Sequence, residues 1–138
     1  MAHCLYFFAD TTTDPGFISF FDNLPKKSPE TGTLRLFHRS QGTDSWYAAY
    51  GPDALFAATH IYHTNSVIKY IGSGGRGGGL PSVSLKTSVA QMLLREALTT
   101  RQLRVEIYEP ETGQNRKGTK FRLDKEVRLR LRYVTLRM

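Results

Sequence analysis

Gly32-Thr-Leu-Arg-Leu-Phe-His-Arg-Ser40 leads through Asp44-Ser-Trp-Tyr-Ala-Ala-Tyr-Gly51 into Pro52-Asp-Ala-Leu-Phe-Ala-Ala58. Leu34 and Leu36 alternate with Arg35 and Phe37, which predicts a strand. After a turn, Trp46, Ala48 and Tyr50 share one face of a second strand, and Tyr47 and Ala49 take the other. An alanine-rich helix over 53–63 follows, with Leu55, Ala58 and Tyr62 on one side. Strand, turn, strand and helix succeed one another without a break.

The flanking segments read in the same terms. Asp14-Pro15 has the form of an N-cap followed by proline at the first helical position. Phe17, Ile18, Phe20, Phe21 and Leu24 recur at helical spacing until Pro25 stops the run. Lys26 to Thr31 is a polar loop. Residues 67–71 read as a buried strand and Ser82 to Leu85 as a short alternating one. Ser88 with Gln91 has the spacing of a capping box, opening a helix through Met92, Leu93, Ala97 and Leu98. Leu103, Val105 and Ile107 alternate with Arg104, Glu106 and Tyr108 in another strand. A turn-rich loop from Pro110 to Gly118 precedes a last strand over Thr119 to Lys125. Strands interleaved with helices predict an α/β fold, a mixed β-sheet flanked by helices.

The chain has 138 residues, 40% of them hydrophobic and 12% aromatic, enough for one domain with a real core. Cys4 is the only cysteine, so no internal disulfide can form and a reducing compartment is expected. The start lacks the basic leader of a secretory signal, and no segment approaches the roughly 18 apolar residues of a membrane span. A soluble intracellular protein with no membrane partner is expected. The net charge of +7 is carried from Arg116 onward, where nine basic residues meet only Asp124 and Glu126. The first 115 residues hold ten charges of each sign. Phosphate attraction scales with cations near the backbone, so the body needs a local patch, or a carrier, to reach nucleic acid.

The collinear order of these pieces resembles the mismatch-recognition domain (domain I) of the MutS family, and within it the eukaryotic homolog 2 branch. The resemblance runs from Gly16-Phe-Ile-Ser-Phe-Phe21 through Asp53-Ala-Leu-Phe-Ala-Ala58, Ser66-Val-Ile-Lys-Tyr-Ile71, Ser82-Val-Ser-Leu85 and Arg104-Val-Glu-Ile-Tyr108. It fades at Lys120-Phe-Arg-Leu-Asp-Lys-Glu126. The resemblance implies an N-terminal domain over 1–126 and a basic alternating tail over 127–138. The tail abandons the Pro-Gly-containing loop that the family implies after Lys125-Glu126 and reads as truncation-related. As a strand, Val127 to Tyr133 would show one apolar and one cationic face.

In the family an aromatic inserts beside a mispaired base, and a Glu two residues later accepts a hydrogen bond from it. Here the aromatic position matches Trp46 and the acceptor position is Ala48, whose methyl group accepts nothing. The homolog 2 branch likewise lacks that Glu, since its heterodimer partner carries the reading pair. Six residues separate Arg39 from Trp46, more than the family's tight turn has, so a longer hairpin tip is expected.

The resemblance implies a role in DNA mismatch repair, flanking mismatched or looped double-stranded DNA without base-specific reading. The implied partner is a MutS homolog 6 or homolog 3 subunit and the implied compartment is the nucleus. Trp46 and Tyr47 are the candidate wedge; Arg39, Lys69 and Arg76 are candidate phosphate contacts. The alternative is a stand-alone structural or partner-binding module without DNA contact. No catalytic constellation, Walker sequence or cofactor site is legible, so a non-enzyme is expected. ATP and Mg belong only to full-length family members.

Two weaker patterns complete the reading. Gly72-Ser-Gly-Gly-Arg-Gly77 matches G-x-G-x-x-G after a strand, but Gly78-Gly79-Leu80-Pro81 and another strand follow. A dinucleotide site needs a helix to open there, so a flexible surface loop is expected. His60 and His63 lie a helical turn apart without completing ligands, which favours packing over a metal.

Overall fold

The computed structural model describes residues 15–72, 74–111 and 120–129, with the side chains of Pro15 and Arg76 excepted. Asp14, the turn-rich loop at 112–119 and the tail from 130 onward lie outside the described residues. Helix α1 spans Pro15–Asp22 and ends ahead of Pro25. Strands β1 (Thr33–Gln41) and β2 (Asp44–Tyr50) form the hairpin, and α2 (Pro52–Ala57) continues as a wider π-type turn over Ala58–Tyr62. Strand β3 (Lys69–Ile71) and β4 (Leu80–Leu85) flank a single helical turn at Gly75–Gly78. Helix α3 (Thr87–Arg95) also loosens into a π-type turn over Glu96–Thr100 before β5 (Arg104–Pro110) and β6 (Phe121–Arg128).

The six strands lie in the order β3-β4-β2-β1-β5-β6. Among the described strands β1 and β5 run parallel and the other neighbours antiparallel, so the sheet is mixed as the sequence predicts. Alternation along each strand sends side chains to two covered faces. Leu34, Leu36, Ala49, Val83, Leu85 and Val105 pack under α2 and α3. On the other face Phe17 of α1 meets Phe37, Tyr50, Tyr108 and Phe121 in an aromatic cluster. Phe17 stands 4.5 Å from the Tyr50 ring and 5.6 Å from Phe37, edge-on to the latter, the geometry that ring quadrupoles favour.

Several local expectations are corrected. The hairpin tip is not longer: Gln41 pairs with Asp44 around Gly42-Thr43, and Gly42 at φ 62 suits a two-residue turn led by glycine. The additional residues lengthen the ladder instead. Helix α2 buries Ala54, Ala57 and Ala58, while Leu55 is exposed, because small side chains let the helix sit close against the sheet. The 67–71 strand contracts to three residues at a sheet edge, preceded by a 3-10 turn over Asn65–Val67. The Ser88–Gln91 box does not form: Lys86 is the N-cap and makes no side-chain cap. The last strand begins at Phe121 and runs on to Arg128, across the 126/127 division read from the sequence.

The glycine stretch is tighter than a flexible loop. A Cβ on Gly79 would meet the Gly75 carbonyl at 2.7 Å and the Ile71 carbonyl at 2.8 Å, so the chain folds onto itself where only hydrogen fits. The turn is four residues long, and Gly77 lies within it rather than opening a longer helix.

Candidate nucleic-acid interface

The hairpin register decides where the candidate wedge points. Trp46 pairs with Arg39 and Tyr47 with His38, so the two aromatics leave opposite faces of the sheet. Trp46 lies on the α1 face, two residues from the buried Ala48. It is half-buried and, among the described residues, makes neither a ring contact nor a hydrogen bond through its indole N–H. Tyr47 is half-buried on the helix-covered face. There it packs against the main core and stacks on His38 at 4.8 Å, and Glu109 holds the imidazole Nδ1 at 2.9 Å.

Arg39 shares the α1 face with Trp46, but its guanidinium is turned to the fold. It lies 5.3 Å from the Phe17 ring and 5.4 Å from Phe121, and Nη1 donates to the Tyr50 hydroxyl at 2.9 Å. Lys69 is exposed on β3 and pairs with Ser82, on the same face as Trp46 but at the far side of the sheet. Arg76 lies in the one-turn helix; its side chain is outside the described residues. Trp46, Arg39 and Lys69 therefore share a face, and Tyr47 does not.

His60 and His63 are not brought to a common ligand position. His60 rests on Phe56 at 4.4 Å, and its Nδ1 meets the Arg101 guanidinium at 2.9 Å. Burial first, and then that neighbouring cation, lower the pKa of His60. His63 closes the helix in the left-handed conformation at φ 58.

The sequence reading missed a buried charged cluster beneath this face. Glu106 accepts from Lys27 Nζ at 2.7 Å, from Arg35 Nε at 3.4 Å and from the Tyr108 hydroxyl at 3.3 Å. Arg35 also donates to the Pro25 carbonyl. Burial works against the Glu106 carboxylate, yet the Lys27 ammonium and Arg35 guanidinium outweigh it and hold its pKa below the ordinary value. Asp53, at the start of α2, is 1% exposed and its Oδ1 has no partner among the described residues. Burial pushes its pKa well up, against the pull of the Arg35 backbone amide and guanidinium. Arg35 and Glu106 occupy positions that strict alternation assigns to a solvent face; among the described residues, α1 and its following loop turn that face inward.

Residues 15–132 match the MutS domain I family. The chain belongs to that family. It is 39% identical over 99 residues to the DNA mismatch repair protein msh-2 of Neurospora crassa, covering 72% of this chain and 10% of that protein. It is 33% identical over 101 residues to DNA mismatch repair protein MSH2 of Arabidopsis thaliana, again covering 72% and 10%. Against MSH2 of Zea mays it is 34% identical over 112 residues, 80% of this chain and 11% of the relative. The chain thus spans about a tenth of the length of the curated relatives it matches. The homolog 2 resemblance read from the sequence agrees with all three. Trp46, which the sequence resemblance matches to the family's aromatic, is half-buried, and Ala48, two residues on, is 1% exposed. Among the described acidic side chains of β1 and β2, Asp44 is the one on that face, toward the hairpin end.

Proposed function

We propose that this MutS domain I serves in DNA mismatch repair by contacting duplex DNA beside a mismatch or loop, without reading the bases. Trp46 carries this reading. It is a half-buried aromatic whose N–H meets no partner among the described residues, two positions along the same face from an alanine that offers no acceptor. The domain acts by binding rather than catalysis, within a longer nuclear protein that associates with a MutS homolog 6 or homolog 3 subunit. The likeness to msh-2 and MSH2 proteins supports that reading. Tyr47 contributes by supporting the hairpin from the opposite face, through its stack on His38.

Titration of fluorescent duplexes with and without a single mismatch tests it. Trp46→Ala should weaken both complexes by about tenfold, the loss of one aromatic–base contact, with little discrimination between the duplexes before or after. Unchanged binding by Trp46→Ala, or strong mismatch preference in the unsubstituted chain, would overturn the reading. The charge neutrality of residues 1–115 favours a second reading, a partner-binding module without DNA contact. Under it neither duplex binds once residues 127–138 are deleted.

A further inference from the structure

Beside Trp46, the α1 face carries two exposed lysines, Lys86 and Lys69. The ladder between β2 and β4 ends at Tyr47 opposite Leu85. One step further, Trp46 comes opposite Lys86. Lys86 is still extended (φ −63, ψ 158), so the alternation that puts Ser82 and Ser84 on the α1 face continues through it. At the other end of the same surface Lys69 pairs with Ser82. Both lysines are exposed, and among the described residues neither ammonium has a hydrogen bond or an ion pair. Ser82 and Ser84 are half-exposed between them. Ala48, opposite Ser84, is buried in the cluster that α1 covers, so the accessible part of this face is the row of Ser82, Ser84 and Lys86 on the β4 side, with Lys69 beside it.

We infer that Lys86 and Lys69 form a phosphate track on the sheet: they hold the backbone of one DNA strand, and Trp46 stands next to Lys86 at its end. This rests on the DNA-contacting role proposed above and deepens it, assigning Lys86, which no reading of the sequence singled out. The spacing suits a backbone. Lys86 lies four residues along β4 from Ser82, about 14 Å at the rise of a strand. That is about four nucleotide steps at 3.4 Å per strand of duplex axis. The serine hydroxyls in between are neutral donors for the intervening phosphates. Asp44, two residues beyond Trp46 on the same face, bounds the track, because a carboxylate repels the next phosphate. Tyr47, His38 and Glu109 leave the opposite face and take no part.

The salt dependence of duplex binding by the unsubstituted chain tests the track. Each phosphate contact contributes about 0.9 to the slope of log affinity against log salt. Lys86→Gln and Lys69→Gln should each reduce that slope by about 0.9, and the double substitution by about 1.8. Asp44→Asn should tighten binding. Arg95→Gln, an equal loss of charge on α3 across the sheet, should leave the slope as it was. All four residues are exposed, so thermal unfolding should show the fold retained. If Trp46→Ala weakens binding while the lysine substitutions leave the slope unchanged, the track is wrong and the DNA-contacting role stands. If Arg95→Gln reduces the slope equally, net charge alone is acting and the track is again wrong. If the unsubstituted chain binds no duplex, both fall together.

Discussion

Arg35 on β1 and Glu106 on β5 face each other across a parallel strand pair, 3.4 Å from Nε to Oε1, with side chains 3% and 1% exposed. Lys27 adds a second cation from the loop after α1, and Arg35 reaches the Pro25 carbonyl in the same loop. The cluster therefore fastens α1 to the sheet face whose remaining half carries Trp46. Breaking a buried pair leaves an uncompensated charge, which costs far more than losing a surface pair.

Glu106→Gln should accordingly destabilise the fold by about 3 kcal/mol, read from the midpoint of urea unfolding. Glu126→Gln, which breaks the exposed Arg104–Glu126 pair, should cost under about 1 kcal/mol.

Asp53 and Glu106 should give opposite pH dependence. Asp53 holds its proton more tightly folded than unfolded, so its contribution to stability declines as pH rises from the ordinary Asp range, about 4, through its raised folded pKa. Glu106 is depressed, so its contribution is present above its unfolded value and is lost as pH falls through the folded one. Asp53→Asn should therefore gain stability relative to the parent as pH rises from the ordinary Asp range toward neutrality, measured by urea unfolding at each pH. A constant difference across that interval would refute the assignment.

Gly79→Ala should cost about 2 kcal/mol, because the new methyl meets two backbone carbonyls that cannot move aside. Gly77→Ala, with nothing within 4 Å of its Cβ position, should be close to neutral when both variants are compared by urea unfolding.

Arg39→Gln should lower stability by about 1–2 kcal/mol through loss of its two ring contacts and the Tyr50 hydrogen bond. Its salt slope for duplex binding should match the parent's, since the guanidinium is committed to the fold. A slope reduced by about 0.9 would instead return Arg39 to the phosphate contacts.

Period-two alternation in β1, β2 and β5, the helical spacing of Phe17, Ile18, Phe20 and Phe21, and the stop at Pro25 were all readable from residue order. They depend on local backbone preference and on which side chains avoid water. The collinear pieces likewise carried the MutS resemblance, and the alanine at position 48 announced a missing acceptor. Local pattern failed where partners lie far along the chain. Arg35 and Glu106 look like solvent-facing residues until a helix and its loop cover them. Leu55 looks like core until three alanines draw α2 against the sheet. Lys86 looks like a helix-flanking lysine until the pairing of Tyr47 with Leu85 places it one step along from that pair, on the side of Trp46. Covalent order sets which face each residue occupies along its own strand; pairing between strands distant in the chain decides what covers that face and which charges become neighbours.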